Sequence, residues 1–171
     1  MNQLDTRIAL PAYDNASRGL LIELSIHAYK SPHHIVQSNG YLARCLHKNF
    51  QRVLNITASI KTQWQVFKNY SYVIDSSFVG GVVCETASSS MGLSIGLFNL
   101  YRAMQYKSQI GGITGTGILR VNGCFDKANL ECAKQTAAKA SDSGNEYFVV
   151  PEYCRHLFEL EHLMETMDKE K

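Results

Sequence analysis

Residues 90–104, SMGLSIGLFNLYRAM, constrain this chain more than any other stretch. Leu93, Ile95, Leu97, Phe98, Leu100 and Met104 fall on nearly every side of a helix rather than along one stripe. A helix that is apolar all round has to be covered on all sides, so a central helix enclosed by other layers is expected here. A chain of 171 residues can supply that cover as one domain. No apolar run reaches the roughly 18 residues of a membrane span. The start, MNQLDTRIALPAYD, lacks the charged-then-apolar order of a signal peptide, so a cytoplasmic protein with no membrane partner is expected. A net charge of +2 with no basic run argues against a nucleic-acid partner.

The rest of the chain supplies the cover. LLIELSIHAY alternates Leu20, Ile22, Leu24 and Ile26 against Leu21, Glu23, Ser25 and His27, a half-buried strand. HHIVQ, after the turn at Ser31-Pro32, is expected to pair with it. The period then changes: Leu42, Cys45, Leu46, Phe50, Val53 and Leu54 recur at three and four, an amphipathic helix. YSYVID and FVGGVVC read as strands around a Ser-Ser turn. IGGITGTGILRVNGCF is a glycine-rich β segment with a hairpin turn at Asn122-Gly123. ANLECAKQTAAKA reads as an alanine-rich helix and EYFVV as a short strand. Pro151 is expected to open a last helix at its favoured first position, with Leu157, Leu160, Met164 and Met167 on one face. Residues 1–18 and 168–171 are expected to be peripheral or flexible. The irregular order of strands and helices indicates an α+β (mixed α/β) single domain over residues 1–171. The cysteines (Cys45, Cys84, Cys124, Cys132, Cys154) are odd in number and lack a CxxC pair, so free buried thiols are expected. His33 and His34 are adjacent, and His156 and His162 are not at i, i+4, so no metal site or cofactor is expected.

CETASSSMGLSIGLFNL places three serines before the central helix. Serine there is favoured as an N-cap. The same place suits a nucleophile, because the free N–H groups and positive end of a helix stabilise an oxyanion. Gly92 would let a substrate backbone come close. A serine nucleophile needs a base. No histidine lies between Cys84 and Pro151, which argues against a Ser-His-Asp triad and turns attention to lysine. A lysine base needs an apolar site that depresses its pKa. Lys127 in GCFDKANL and Lys134 in NLECAKQTAAKA both have apolar or small neighbours; Lys134 has Leu130, Ala137 and Ala138 one turn either side. The plainer reading of either is a surface lysine with its stem laid along the protein.

Taken in order, these features resemble the proteolytic domain of Lon proteases, the Ser-Lys peptidases, which is related to the ribosomal protein S5 domain 2-like fold. Ser89-Ser90-Met91-Gly92 stands where that family has P-S-A-G, and Thr116-Gly117 where it has T-G-E, with Thr114-Gly115 competing. Asn122-Gly123 stands for its hairpin turn. Leu130 to Ala138 is similar to L-x-x-K-x-x-A-A with one extra residue before Lys134. YFVVP stands for its closing strand and proline, and the serine-to-lysine separation is close to the family's. The sequence departs from the pattern at Ser89 for proline, Ile118 for glutamate and Ala128-Asn129 for the G-G pair, and no ATPase module is present.

The resemblance implies a serine endopeptidase that hydrolyses peptide bonds in protein substrates without a cofactor. Ser90 would be the nucleophile and Lys134 the dyad lysine, with Lys127 as its rival. Thr116 would orient the amine, and Gly92 would support the site. The resemblance further implies a homo-oligomer, in the family a hexameric ring, and a separate ATPase or adaptor. Two other readings stand beside it. One is a catalytically silent Lon-like binding or assembly module. The other is a small-molecule kinase-like domain with a phosphate-binding serine loop, although such chains are much longer and no acidic residue is placed for Mg²⁺.

Overall fold

Two long strands organise the computed structural model, which describes residues 3–14, 19–77, 82–83, 87–128 and 144–169. β1 (Gln3–Asp14) and β2 (Gly19–Lys30) pair antiparallel, with Ile8 opposite Leu24 and Leu10 opposite Ile22. Both strands follow a period of two. Thr6, Ile8, Leu10 and Ala12 of β1 and Ile22, Leu24, Ile26 and Ala28 of β2 are buried on one face, while Asp5, Arg7 and Glu23 are exposed on the other. β1 corrects the expectation that residues 1–18 are peripheral: Gln3–Asp14 is an interior strand. The strand runs on through Pro11, opposite Leu21, with Leu10, Pro11 and Ala12 all buried.

β3 (Val36–Asn39), β4 (Tyr70–Asp75) and β5 (Val82–Val83) complete a five-stranded sheet in the order β3-β4-β2-β1-β5. HHIVQ is therefore not the hairpin partner of β2. β3 runs parallel to β4, and β4 is antiparallel to β2. A parallel pair needs a crossover, here α1 (Tyr41–Ile60) and a 3₁₀ helix (Thr62–Asn69). α1 buries Leu42, Leu46, Phe50, Val53 and Leu54, as its spacing predicts, but Cys45 is exposed. Of FVGGVVC only Val82 and Val83 are among the described residues, and the alanine-rich segment from Asn129 to Ala140 lies outside them.

α2 (Ser90–Met104) is the expected central helix: every residue from Ser90 to Leu100 is buried. Gly92 and Gly96, one turn apart, set its distance from the sheet. A Cβ on Gly92 would lie 2.5 Å from Leu10 Cδ2, and one on Gly96 would lie 2.9 Å from both Ile8 Cγ2 and Ile26 Cδ1. β6 (Ile113–Gly115) then pairs parallel with β9 (Tyr147–Val149), and β7 (Ile118–Leu119) forms a hairpin with β8 (Phe125–Asp126). The Asn122-Gly123 turn is present, with Gly123 at φ +88°.

α3 (Leu157–Lys169) starts later than expected, because Pro151 to Tyr153 form a turn. The His156 ring accepts the Phe158 N–H at 3.1 Å, and Glu159 accepts the Arg155 N–H at 3.0 Å. These side chains satisfy amides at the helix start in the manner of a cap. Leu157, Leu160, Met164 and Met167 are buried as the stripe predicts. The C-terminal segment is not wholly peripheral either. Buried Arg102 of α2 bonds Glu165 at 2.6 Å and the Ser108 carbonyl at 2.7 Å, and its Nη2 lies 2.8 Å from Asp168 without hydrogen-bond alignment. The chain is a single α+β domain, and no helix among the described residues is long and apolar enough to cross a membrane.

A Cβ on Gly115 would sit 2.6 Å from the Val149 backbone carbonyl, so Gly115→Ala should cost about 2 kcal/mol in urea unfolding, as an overpacked core does. Gly92→Ala should cost less, because the end of Leu10 can move and alanine returns up to ~1 kcal/mol of helix propensity. Gly111→Ala, with nothing within 4 Å, should be near neutral.

On the open sheet face, Asp5 Oδ1 lies 2.5 Å from His27 Nδ1 and 2.8 Å from Gln3 Nε2. The His27 hydrogen bond, then that of Gln3, holds the Asp5 carboxyl below its usual value. A depressed carboxylate stabilises the fold above its unfolded pKa, and that contribution disappears as pH falls through the folded one. Between about pH 4 and pH 2 the wild type should therefore lose more stability than Asp5→Asn, measured as urea midpoints.

Candidate functional site

The polar residues at the N-terminus of α2 interrupt an otherwise apolar layer. A 3₁₀ turn, Ala87–Ser89, feeds directly into the helix. Ser89 occupies the cap position in a helical conformation, φ −73° and ψ −6°, and its side chain makes no capping bond. Ser90 is the first residue of α2 and is 0% exposed. Its hydroxyl donates to the Ala87 carbonyl at 2.6 Å, and its own carbonyl accepts the Ser94 hydroxyl at 2.8 Å.

The second contributor is the strand connection at Thr116 and Gly117, between β6 and β7. The Gly117 N–H donates to the Ser88 carbonyl at 3.0 Å, and the Met91 N–H donates to the Gly117 carbonyl at 3.1 Å. The Thr116 hydroxyl also reaches the Ser88 carbonyl, at 3.4 Å, while its N–H bonds the Val149 carbonyl at 3.0 Å. Thr116-Gly117 is thus the Thr-Gly pair that meets the serines. Thr114 is held elsewhere, its hydroxyl donating to the Ala9 carbonyl of β1.

The third contributor escapes the sequence reading. Asn49 of α1 points into the core at 8% exposure, and its amide nitrogen lies 3.2 Å from Ser89 Oγ and 3.3 Å from Ser90 Oγ. Its Oδ1 lies 3.5 Å from Ser90 Oγ. The signal is present in the sequence: Leu46, Asn49, Phe50 and Val53 share one face of α1, so Asn49 is a polar residue within an apolar stripe. A buried carboxamide needs partners, and the serines provide them.

The other expected site residues divide. Gly92 faces Leu10, so the space beside it belongs to β1 rather than to a substrate. Lys127 is exposed and pairs with Glu152 at 3.3 Å, the opposite of the dry setting a neutral amine requires. Lys134 lies outside the described residues. Cys154 is buried, and burial pushes its thiol up to about 12, which leaves little thiolate at neutral pH. A surface hollow of about 380 Å³ lies at the β3–β4 edge, lined by Tyr29, Ile35, Gln37 and Tyr72, and shares no residue with the serine cluster.

No protein-family model matches the chain, and no curated protein matches it. The local chemistry therefore has to carry the functional reading. Ser90 Oγ has a donor at hand in Asn49 and an acceptor in Ala87. Its proton can pass to a base only by leaving Ala87, and the Met91 N–H can receive a substrate oxygen only by releasing Gly117. The cluster is a serine at a helix N-terminus in a closed arrangement.

Proposed function

We propose that the chain is a Ser-Lys peptidase that cleaves polypeptides. The observation that carries the reading is the meeting of Ser90, at the start of a buried helix, with Thr116-Gly117. The Lon-like resemblance pairs those two motifs, and here they are joined by the backbone bonds of Ser88 and Met91. The order of motifs along the chain supports it further.

In this reading the neutral amine of Lys134 takes the proton of Ser90. The Ser90 oxygen attacks the peptide carbonyl, and the tetrahedral oxyanion forms beside the first N–H groups of α2. The lysine then protonates the leaving amine, and water releases the acyl group. Thr116 serves this reading through the Ser88 carbonyl, which it helps hold; orientation of the lysine amine is the role the resemblance adds. Assembly as a ring, a separate ATPase or adaptor and a cytoplasmic location go with the same reading.

A second reading has its own observation. The Ser90 hydroxyl is fully buried and bonded to Ala87, and the Met91 N–H is bonded to Gly117, the state a catalytically silent binding module would keep.

Cleavage of an unfolded protein substrate separates the two. The peptidase reading expects cleavage by wild type and its loss by at least about 10³-fold in Ser90→Ala and in Lys134→Ala, with unchanged circular dichroism. Lys127→Ala should retain activity. A folded wild type that cleaves neither unfolded protein nor peptides supports the silent module instead.

A further inference from the structure

We propose that Asn49 is a catalytic hydrogen-bond donor, an inference that rests on the peptidase reading of Ser90. A buried carboxamide on α1 has its nitrogen within hydrogen-bond distance of the hydroxyls of both Ser89 and Ser90. α1 and α2 are adjacent helices of one core, so the donor is held by packing rather than by a loop. The helix N–H that would ordinarily face an oxyanion, that of Met91, is bonded to Gly117. The Asn49 amide is already directed at the nucleophilic oxygen.

The chemistry follows from that position. The Ser90 O–H bond breaks and its proton goes to the amine base. The oxygen lone pair forms a bond to the carbonyl carbon, and the C=O π pair moves onto the carbonyl oxygen. The new oxyanion and Ser90 Oγ are then bonded to the same carbon, so the oxyanion forms next to the atom that the Asn49 amide already reaches. Asn49 turns its N–H from the hydroxyl to the oxyanion, where charge has developed, and so stabilises the transition state more than the ground state. When the tetrahedral species collapses, the C–N bond breaks and the ammonium proton passes to the departing amine. Ser89 shares the amide of Asn49 and keeps the side chain oriented between turnovers.

A merely structural role would also explain the bonds, since Asn49 ties two buried helices together. The two roles separate by comparing a tetrahedral ligand with a ground-state one. The probes are a peptide boronate, which forms a tetrahedral adduct with serine, and the matching peptide amide. Boron NMR and calorimetry are read on the folded chain as wild type, Asn49→Ala and Asn49→Leu. The inference expects a tetrahedral boron signal in wild type that Ser90→Ala abolishes. Both Asn49 variants should weaken the boronate by about 10²- to 10³-fold, the loss seen on removing one oxyanion donor, and leave the amide unchanged. Asn49→Leu keeps the branched shape of the side chain but carries no donor, so it should lose as much as Asn49→Ala.

Equal weakening of both ligands, or of neither, overturns the role of Asn49 while leaving Ser90 as the nucleophile. So does an Asn49→Leu variant that binds boronate like wild type. If Asn49→Ala does not fold, Asn49→Leu carries the comparison. A folded wild type that forms no tetrahedral adduct overturns the Ser90 reading itself, and the role of Asn49 with it.

Discussion

Everything in this domain depends on how closely α2 can approach the sheet. Gly92 and Gly96 remove the side chains that would otherwise hold the helix away from Leu10, Ile8 and Ile26. An apolar helix seated at that distance has room on its other sides for α1 and α3. Its two ends are then fixed by polar contacts rather than by packing alone. At the C-terminal end Arg102 joins α2 to Glu165 and Asp168 of α3, a cation in the last turn, where the helix dipole favours it. Glu165 and Asp168 keep part of their hydration, so the guanidinium is the charge that would be stranded if the contact broke. At the N-terminal end the ordering of Ser88, Ser89 and Ser90 places a hydroxyl-rich turn inside the core.

That turn is the unusual part of the fold. Burying hydroxyls and a carboxamide costs a few kcal/mol each unless they are bonded, and among the described residues the cluster's bonds include Asn49 to two serines, Ser90 to Ala87, and Gly117 to Ser88 and Met91. An apolar substitution of the same shape would fill the space with less exacting geometry. A nucleophile at a helix N-terminus gives a reason to keep it polar. The cluster holds a hydroxyl, a helix N–H and a carboxamide, each bonded to the protein; the base of the proposed reaction, Lys134, lies outside the described residues. The proposed reaction would need two exchanges: the Ser90 proton from Ala87 to a base, and the Met91 N–H from Gly117 to a substrate. Both involve the short connections at residues 87–89 and 116–117, not the helices and strands that carry them.

Periodicity made much of this legible. The all-round apolar pattern of α2, the stripes of α1 and α3, the alternation of β2 and the Asn122-Gly123 turn all describe local geometry, which neighbouring residues dictate. Strand pairing is not local. β3 joins β4 across a helix rather than folding back on β2, and nothing within HHIVQ records that choice. Thr6, Ile8, Leu10 and Ala12 alternate in β1, a pattern as local as that of β2, whereas at the start of α3 the preference of Pro151 for a first helical position outweighed the turn it forms. At the site, the order of motifs singled out Ser90 and Thr116, but the glycine at position 92 proved to serve packing. Asn49 was legible only as a polar interruption of an apolar face, a signal that gains meaning once α1 and α2 are seen side by side.

The central claim is that the hydroxyl of Ser90 is a nucleophile. Its most direct test is the reaction of the folded chain with a small alkyl fluorophosphonate, with the modified residue located by peptide mass spectrometry. A single adduct on Ser90, formed more slowly as pH is lowered and absent after prior unfolding, is the result predicted. A folded chain that takes no label, or takes it on another serine at the same rate after Ser90→Ala, would contradict it.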